Sequence, residues 1–148
     1  MRVSVDTNIL IYSADPRDTD KQDAARDMIR RTALGAGALA EQCLFEFISV
    51  TTRRLNVPRD LAVAIARKWT LILDVVVPPR DIFEAAVNLM NNHKVSGWDA
   101  RLLATCASAG IAVLLSEDLQ DGGRYDGVTV INPFRATNGP FIDKVLPR

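Results

Sequence analysis

Short apolar runs alternate along this chain with longer segments of helical periodicity, and this alternation limits the possible folds more than any other feature. The strand-like runs are Arg2–Val5, Ala38–Ala40, Val75–Val77, Ile111–Leu115 and Val128–Ile131. Short runs of this kind, separated by helices, are typical of parallel strands covered on both faces. The sequence therefore predicts an α/β fold, a three-layer α/β/α arrangement around a central, mostly parallel sheet.

Helical segments with start and stop signals fill the intervals between these runs. They are predicted at Asn8–Ala14, Thr19–Leu34, Glu41–Arg54, Pro58–Leu73, Pro79–Asn91 and Ser96–Ala109. Pro58 and Pro79 stand at first turns, where proline is tolerated because that N–H has no helical partner.

A chain of 148 residues is long enough for one domain with its own hydrophobic core. We interpret residues 1–134 as that domain and residues 135–148, which are rich in proline and glycine, as a C-terminal tail that is either poorly ordered or docked. No apolar run approaches the ~20 residues that span a bilayer. Val3–Val5, followed at once by Asp6, does not resemble a secretory leader. We therefore expect a cytoplasmic protein.

Composition argues against a zinc site. His93 is the only histidine, and Cys43 and Cys106 fall in predicted helices without CxxC spacing, so they are expected to be small core residues. Eighteen basic residues balance eighteen acidic ones. The net charge therefore does not indicate an extended nucleic-acid surface, although it is compatible with a nuclease whose acidic centre offsets basic residues elsewhere.

Four acidic residues stand where an open α/β sheet or an inward helix face would present a site. Asp6 follows the first strand, and Asp118 comes three residues after Leu115; ligands of such sheets bind outside the carboxyl ends of the strands. Glu46 lies in mid-helix, and Asp99 lies in the first turn of another helix. Mg²⁺ and Mn²⁺ prefer oxygen ligands, and clustered carboxylates repel one another unless a cation is bound.

Each acid also has an ordinary structural interpretation. Asp6 suits a helix N-cap, and Ser96-Gly97-Trp98-Asp99 fits a variant of the capping box. Glu46 belongs to a narrow polar stripe on an otherwise apolar helix, which is either solvated or partnered. The coincidence of all these acids at strand ends and inward helix faces is what favours a metal site.

The loop of the fourth acid is ambiguous by spacing alone. The ordinary interpretation of Asp118 is a structural role in a turn or a helix cap. Glu117 and Asp121 are equally acidic neighbours. A contribution from Glu117 or Asp121 to the site therefore stays open.

Taken together, these motifs resemble those of the PIN-domain nuclease family. The segments that carry the resemblance are Val3–Leu10 with its Asp-Thr-Asn signature, Leu44–Phe47, Trp98–Cys106, Leu115–Gly122 and Val130–Phe134. They occur in the family's order over nearly the whole chain, and their residues are most similar to those of VapC-type toxins of bacterial toxin–antitoxin pairs.

The resemblance implies a PIN fold and endonucleolytic cleavage of RNA that depends on Mg²⁺ or Mn²⁺. It assigns the catalytic metal-site acids to Asp6, Glu46, Asp99 and Asp118. Thr7 and Asn8 would orient the first acid by hydrogen bonds, and Ser116 would support the site from the fourth strand. The family also implies a homodimer and a cognate antitoxin that covers the site.

Candidate contacts to RNA are less specific. Arg53, Arg54 and Arg101 are placed to hold phosphates, and ordinary solvated surface roles explain each of them at least as well. Trp98 is a candidate for stacking on a base, but core packing is the simpler interpretation. We expect His93 at the surface.

These observations predict hydrolysis of an RNA phosphodiester. Asp6, Asp99 and Asp118 would be the principal ligands, and Glu46 a ligand or an orienter of the attacking water. Two alternatives stay open: an RNA-processing PIN nuclease without an antitoxin, and a non-catalytic PIN-like binding module. A receiver-type phosphoacceptor domain fits poorly, because Thr7 stands where a second acid is expected.

Overall fold

The predicted central sheet is confirmed by a computed structural model that describes residues 1–148. Its strands are β1 (Val3–Val5), β2 (Ala38–Ala40), β3 (Asp74–Val76), β4 (Val113–Leu115), β5 (Arg124–Tyr125) and β6 (Val128–Ile131). The strand order is β3-β2-β1-β4-β6-β5. All pairs are parallel except β5–β6, so the sheet is mostly parallel, as the sequence predicts.

Helices flank this sheet, and the first six of them lie within a few residues of the predicted bounds. They are α1 (Thr7–Ala14), α2 (Thr19–Leu34), α3 (Glu41–Arg54), α4 (Arg59–Ile72), α5 (Ile82–His93), α6 (Gly97–Ser108) and α7 (Gly139–Val145), with a 3₁₀ turn at Ala136–Asn138. Helix α1 packs against α2 and α3, α3 packs against α4, and α5 packs against α6. None of the helices combines the length and apolar character that crossing a membrane requires.

The central strands supply the middle of the hydrophobic core. Val5, Leu114 and Leu115 have no exposed surface, as expected for strands covered on both faces. Cys43 and Cys106 are also fully buried and carry free thiols. Both cysteines therefore act as small core residues, as predicted.

One strand, β5, is absent from the sequence prediction. It forms an antiparallel hairpin with β6, in which Tyr125 pairs with Val128. The two turn residues, Asp126 (φ 50°) and Gly127 (φ 88°), both have the positive φ of a type I′ turn. The Asp-Gly dipeptide is the sequence signal that predicts such a turn.

The C-terminal tail is helical and docked on α2. Ile142 and Leu146 are each only 3% exposed and belong to the hydrophobic core. The buried guanidinium of Arg31 donates hydrogen bonds to the carbonyl oxygens of Pro147 (2.8 Å) and Leu146 (3.1 Å) and to the carboxylate of Asp143 (2.9 Å). Of the two sequence interpretations of the tail, the structure shows the docked one.

Candidate metal centre

The parallel register of β1 and β4 places the first acid beside the fourth strand. Val5 pairs with Leu115, and the next residues, Asp6 and Ser116, therefore lie side by side at the carboxyl ends of the strands. The backbone N–H of Asp6 donates to the Leu115 carbonyl (2.9 Å), and the Ser116 hydroxyl donates to Oδ2 of Asp6 (2.7 Å). Asp6 also caps α1, since Oδ1 accepts from the Thr7 N–H (2.7 Å). Capping of α1 uses one carboxylate oxygen of Asp6, and the other oxygen accepts from Ser116.

Asn8 connects the first acid with the fourth. Its Nδ2 lies 3.3 Å from Oδ2 of Asp6, 3.2 Å from Oγ of Ser116 and 3.1 Å from Oδ2 of Asp118. Asp118 is itself exposed, but its backbone N–H donates to the Ser116 hydroxyl (3.2 Å). Asn8 thus holds the side chain of Asp118 toward Asp6, across 110 residues of sequence.

The second acid, Glu46, is half-buried and held from two sides. The Thr7 hydroxyl donates to Oε2 (2.8 Å), and Nε2 of Gln42 donates to Oε1 (2.7 Å). Thr7 hydrogen-bonds to the first acid through its backbone N–H, whereas its hydroxyl binds and positions Glu46. Gln42 was missed as a site residue, although it lies four residues before Glu46 on the same helix face.

The third acid, Asp99, lies in the first turn of α6. The Ser96 hydroxyl accepts a hydrogen bond from the Asp99 N–H (3.2 Å), which caps the helix as the sequence predicts. The carboxyl group is partly buried, and its pKa is raised by desolvation and by the charges of Asp118 and Glu46, against the opposing hydrogen bond with Ser96. Asp99 therefore lies near enough to feel these charges, and it lines the same cleft as Glu46.

The two acidic neighbours of Asp118 have other structural partners. Glu117 forms an ion pair with Lys21 (2.8 Å). Asp121 accepts hydrogen bonds from the backbone N–H of Asn132 (2.8 Å) and from the side-chain amide of Asn138. These contacts hold the loop in place. Of the three acidic residues in the loop, Asp118 is the one that Asn8 links to Asp6.

Burial dominates the electrostatics of Asp6. The pKa of this carboxyl group is raised to about 6, mainly by desolvation and to a smaller degree by the charges of Asp118 and Asp99, while hydrogen bonds from Ser116 and Thr7 oppose the rise. The same buried charge contributes to the raised pKa of the thiols of Cys43 and Cys106, for which desolvation is the main cause. A cation at Asp6 would relieve this cost.

The side chains of this candidate site have the chemistry that a hard divalent cation needs, but they do not form a complete coordination shell. The facing side chains offer oxygen ligands, which suit Mg²⁺ and Mn²⁺. No group of three or more acidic, histidine or cysteine side chains is close enough to form a metal shell by protein ligands alone. This arrangement is compatible with Mg²⁺, which keeps several of its waters when bound.

The predicted RNA contacts separate into two kinds. Arg53 and Arg54 are exposed at the end of α3, and no hydrogen bond or ion pair joins them to the four acids. Arg101 is half-buried and donates to Oε1 of Gln42 (2.8 Å). The interpretation of Trp98 as a core residue is wrong, because its side chain is 69% exposed. His93 is exposed, as expected.

The sequence model that represents the PIN domain family matches residues 3–120, which is most of the chain. The chain therefore belongs to the PIN domain family, as its motifs indicate. A sequence comparison with curated proteins finds no significant match.

Solved structures of toxins share this fold at low sequence identity. The VapC20 toxin of Mycobacterium tuberculosis, described as cleaving the sarcin–ricin loop, is 20% identical with a TM-score of 0.64, covering 78% of this chain and 89% of the toxin. A toxin–antitoxin complex from Klebsiella pneumoniae is 21% identical with a TM-score of 0.64, covering 89% and 98%. FitAcB from Neisseria gonorrhoeae is 14% identical with a TM-score of 0.62, covering 89% and 98%.

Proposed function

We propose that this chain is an endoribonuclease that hydrolyses RNA phosphodiester bonds with Mg²⁺ or Mn²⁺, and that it is the toxin of a VapBC-type toxin–antitoxin pair. The observation that carries the proposal is the acidic edge of the sheet, where Asn8 links Asp6 with Asp118 and the charge of Asp99 acts on Asp6. Membership of the PIN family and the likeness to a toxin described as cleaving the sarcin–ricin loop support RNA as the substrate.

The residues of the site have distinct roles in this reaction. Asp6, Asp99 and Asp118 hold the divalent cation, which lowers the pKa of an attacking water and stabilises charge on the phosphate. Glu46, fixed by Thr7 and Gln42, is either a further ligand or the group that orients the attacking water. Ser116 and Asn8 fix the carboxylate of Asp6, so that little reorganisation is needed when substrate binds.

The nuclease activity is tested by cleavage of a structured RNA with Mg²⁺ or Mn²⁺. Asp6→Asn keeps the size of the side chain and removes the charge that holds the cation, and we expect it to abolish cleavage. Asp23→Asn, a change to an exposed acid on α2, is the matched control and should cleave like the wild type. Equal cleavage by Asp6→Asn and wild type would remove Asp6 from the reaction, whereas a wild type that does not cleave would leave only the non-catalytic binding module.

An apolar groove supports an antitoxin partner. It has a volume of about 790 Å³ and lies between α2 and α4, where Leu61 and Ile65 face Ile29. Three cations, Arg26, Arg30 and Lys68, line it, and no acidic residue does. The groove therefore suits an amphipathic helix with acidic flanks, and we assign it to the antitoxin. Toxin–antitoxin complexes among the similar structures support this assignment.

The antitoxin proposal requires a short protein encoded beside this chain, and co-expression of the two tests that partner. The wild type should co-purify with it and lose its nuclease activity. Ile65→Glu should break the complex, because it adds a negative charge among apolar contacts. Ala64→Glu, on the exposed face of the same helix and outside the groove, is the control and should still bind. A nuclease that has no such neighbour, or that stays active beside it, is the processing enzyme without an antitoxin.

Two further expectations belong to the same proposal. The resemblance implies a homodimer, and sedimentation equilibrium measures this directly. A toxin that acts on cellular RNA is expected in the cytoplasm, and fractionation of cells that carry a tagged chain checks the location.

A further inference from the structure

A cleft of about 520 Å³ opens between α3 and α6, next to two of the acids. Its lining includes Glu46 and Asp99, and its only two apolar members are aromatic, Phe45 and Trp98. The volume falls within the roughly 300–1,000 Å³ of ligand pockets. The cleft therefore adjoins the candidate metal centre and is large enough for a small ring system.

Both aromatic rings are open to solvent. Phe45 is 66% exposed and Trp98 is 69% exposed. The aromatic pairs of the molecule, Tyr12–Phe134, Phe47–Trp69 and His93–Tyr125, include neither of them. Large rings left in water forgo the free energy of burial. Two such rings in one cleft beside an active site indicate a surface for a flat, apolar face of a ligand.

The charges of the cleft select among possible occupants. Glu41, Glu46 and Asp99 make it acidic, and Arg101 is its single cation. A phosphate group would be repelled there, whereas a nucleobase is uncharged, and its N–H groups can donate to carboxylates. A protein partner would favour the neighbouring pocket, where Phe83 and Met90 join Trp98 in a mostly apolar lining, whereas the lining of this cleft is mainly polar and charged.

A hydrogen-bond network holds Trp98 in place. Nε2 of Gln42 donates to the Trp98 carbonyl oxygen (3.1 Å), and Oε1 of Gln42 accepts from Arg101 (2.8 Å). The guanidinium carbon of Arg101 lies 5.9 Å from the centre of the Trp98 indole. Because Gln42 also binds Glu46, one side chain connects the backbone at Trp98 with the acid.

We propose that the cleft of Phe45 and Trp98 is a nucleobase subsite, in which an unpaired base of the RNA stacks on one or both rings while the adjoining phosphate lies at the acids. This inference rests on the proposed ribonuclease function. A base inside a duplex has both faces covered by its neighbours, so the subsite directs cleavage to loops or single strands.

RNA binding without cleavage tests the subsite. A short single-stranded RNA is titrated in EDTA, and its anisotropy and the tryptophan fluorescence are followed together. Trp98→Ala and Phe45→Ala should each weaken binding roughly ten-fold, and Trp98→Phe should retain most of it, because stacking is lost only in the alanine variants. RNA should quench the fluorescence of exposed Trp98, whereas Trp98→Phe, which leaves only buried Trp69, should lose the response.

Leu71→Ala is the control, since Leu71 is a large apolar side chain that is 82% exposed and lines neither this cleft nor the pocket beside it; it should bind RNA like the wild type. Unchanged affinity of Trp98→Ala and Phe45→Ala would overturn the subsite while leaving the nuclease in place. A changed oligomeric state in these variants, with RNA binding intact, would assign the rings to a protein interface and also overturn it. A wild-type chain that neither binds nor cleaves RNA would instead contradict the proposed function.

Discussion

The Ser116 hydroxyl donates a 2.7 Å hydrogen bond to Oδ2 of Asp6, although 110 residues separate the two in sequence. The parallel pairing of Val5 with Leu115 brings them together, because each follows the last residue of its strand. β1 lies between β2 and β4, so the chain leaves it on one side and returns on the other. Ligands of open α/β sheets bind at such a reversal of strand order, and the acids lie there.

Asp6→Asn should stabilise the metal-free protein at neutral pH. The folded carboxyl group has a pKa of about 6 against an ordinary 3.8, so its charged form is unfavourable in the folded state. At about 1.4 kcal/mol per pKa unit, the gain in unfolding free energy is at most about 3 kcal/mol, reduced because the new amide faces the Asn8 amide. Urea unfolding in EDTA at pH 7.5 measures it. A less stable variant would contradict the burial argument.

The stability of the metal-free wild type should depend on pH through the same group. Below about pH 4, Asp6 is protonated in both the folded and the unfolded state and makes no contribution. Between about 4 and 6 the unfolded chain releases this proton first, so the unfolding free energy falls as pH rises, and it levels off above 6. The difference between wild type and Asp6→Asn, followed by urea unfolding from pH 4 to 7.5, should show this fall. A flat difference would disprove it.

Mn²⁺ or Mg²⁺ should raise the melting temperature of the wild type at pH 7.5, and much less at pH 5. A ligand that binds only the folded state stabilises it in proportion to the logarithm of its concentration, and protons compete for Asp6 below about pH 6. Thermal melts with and without metal measure the effect. In Asp6→Asn the rise should vanish at both pH values, while the Asp23→Asn control should keep it. The same rise in Asp6→Asn would place the cation elsewhere.

Thr7→Val should lower the rate of RNA cleavage roughly ten-fold with little loss of stability. The change removes the hydroxyl that donates to Glu46 (2.8 Å) and nearly preserves the shape of the side chain. Thr7→Ser retains the donor and should restore most of the rate. Single-turnover cleavage of one RNA by the three proteins makes the comparison. A fully active Thr7→Val would show that Glu46 needs no such positioning.

Arg31→Met should release the C-terminal tail and lower the unfolding free energy by about 2–4 kcal/mol. The buried guanidinium supplies the donors for Pro147, Leu146 and Asp143, and its loss leaves these groups unpaired. Limited proteolysis should then cut within residues 135–148. Arg30→Met, a change to the exposed neighbour, is the control and should resist. A protected tail in Arg31→Met would show that Ile142 and Leu146 hold it by packing alone.

Local patterns predicted much of the fold, and they failed where a long-range contact decides. Helix bounds follow from capping residues and apolar periodicity, and the residues that make up each of these signals are close together in the sequence. The docking of the tail depends on Arg31, more than 100 residues away, and no local signal reports that contact. Trp98 has the spacing of a residue on a buried helix, yet the surface above it is left uncovered, which only packing reveals. The β5 hairpin was predictable from Asp126-Gly127.

The sequence by itself determined most of the strands and helices, the burial of the central strands and the choice of candidate acids, because these follow from the period of apolar residues or from a short motif. The tertiary structure decided which groups are in contact. The Thr7 hydroxyl binds Glu46 rather than Asp6, Asn8 donates to Asp118, and Glu117 forms an ion pair with Lys21. Hydrogen bonds and ion pairs act over about 3 Å. Partners distant along the chain are therefore set by strand register and helix packing, which no local pattern encodes.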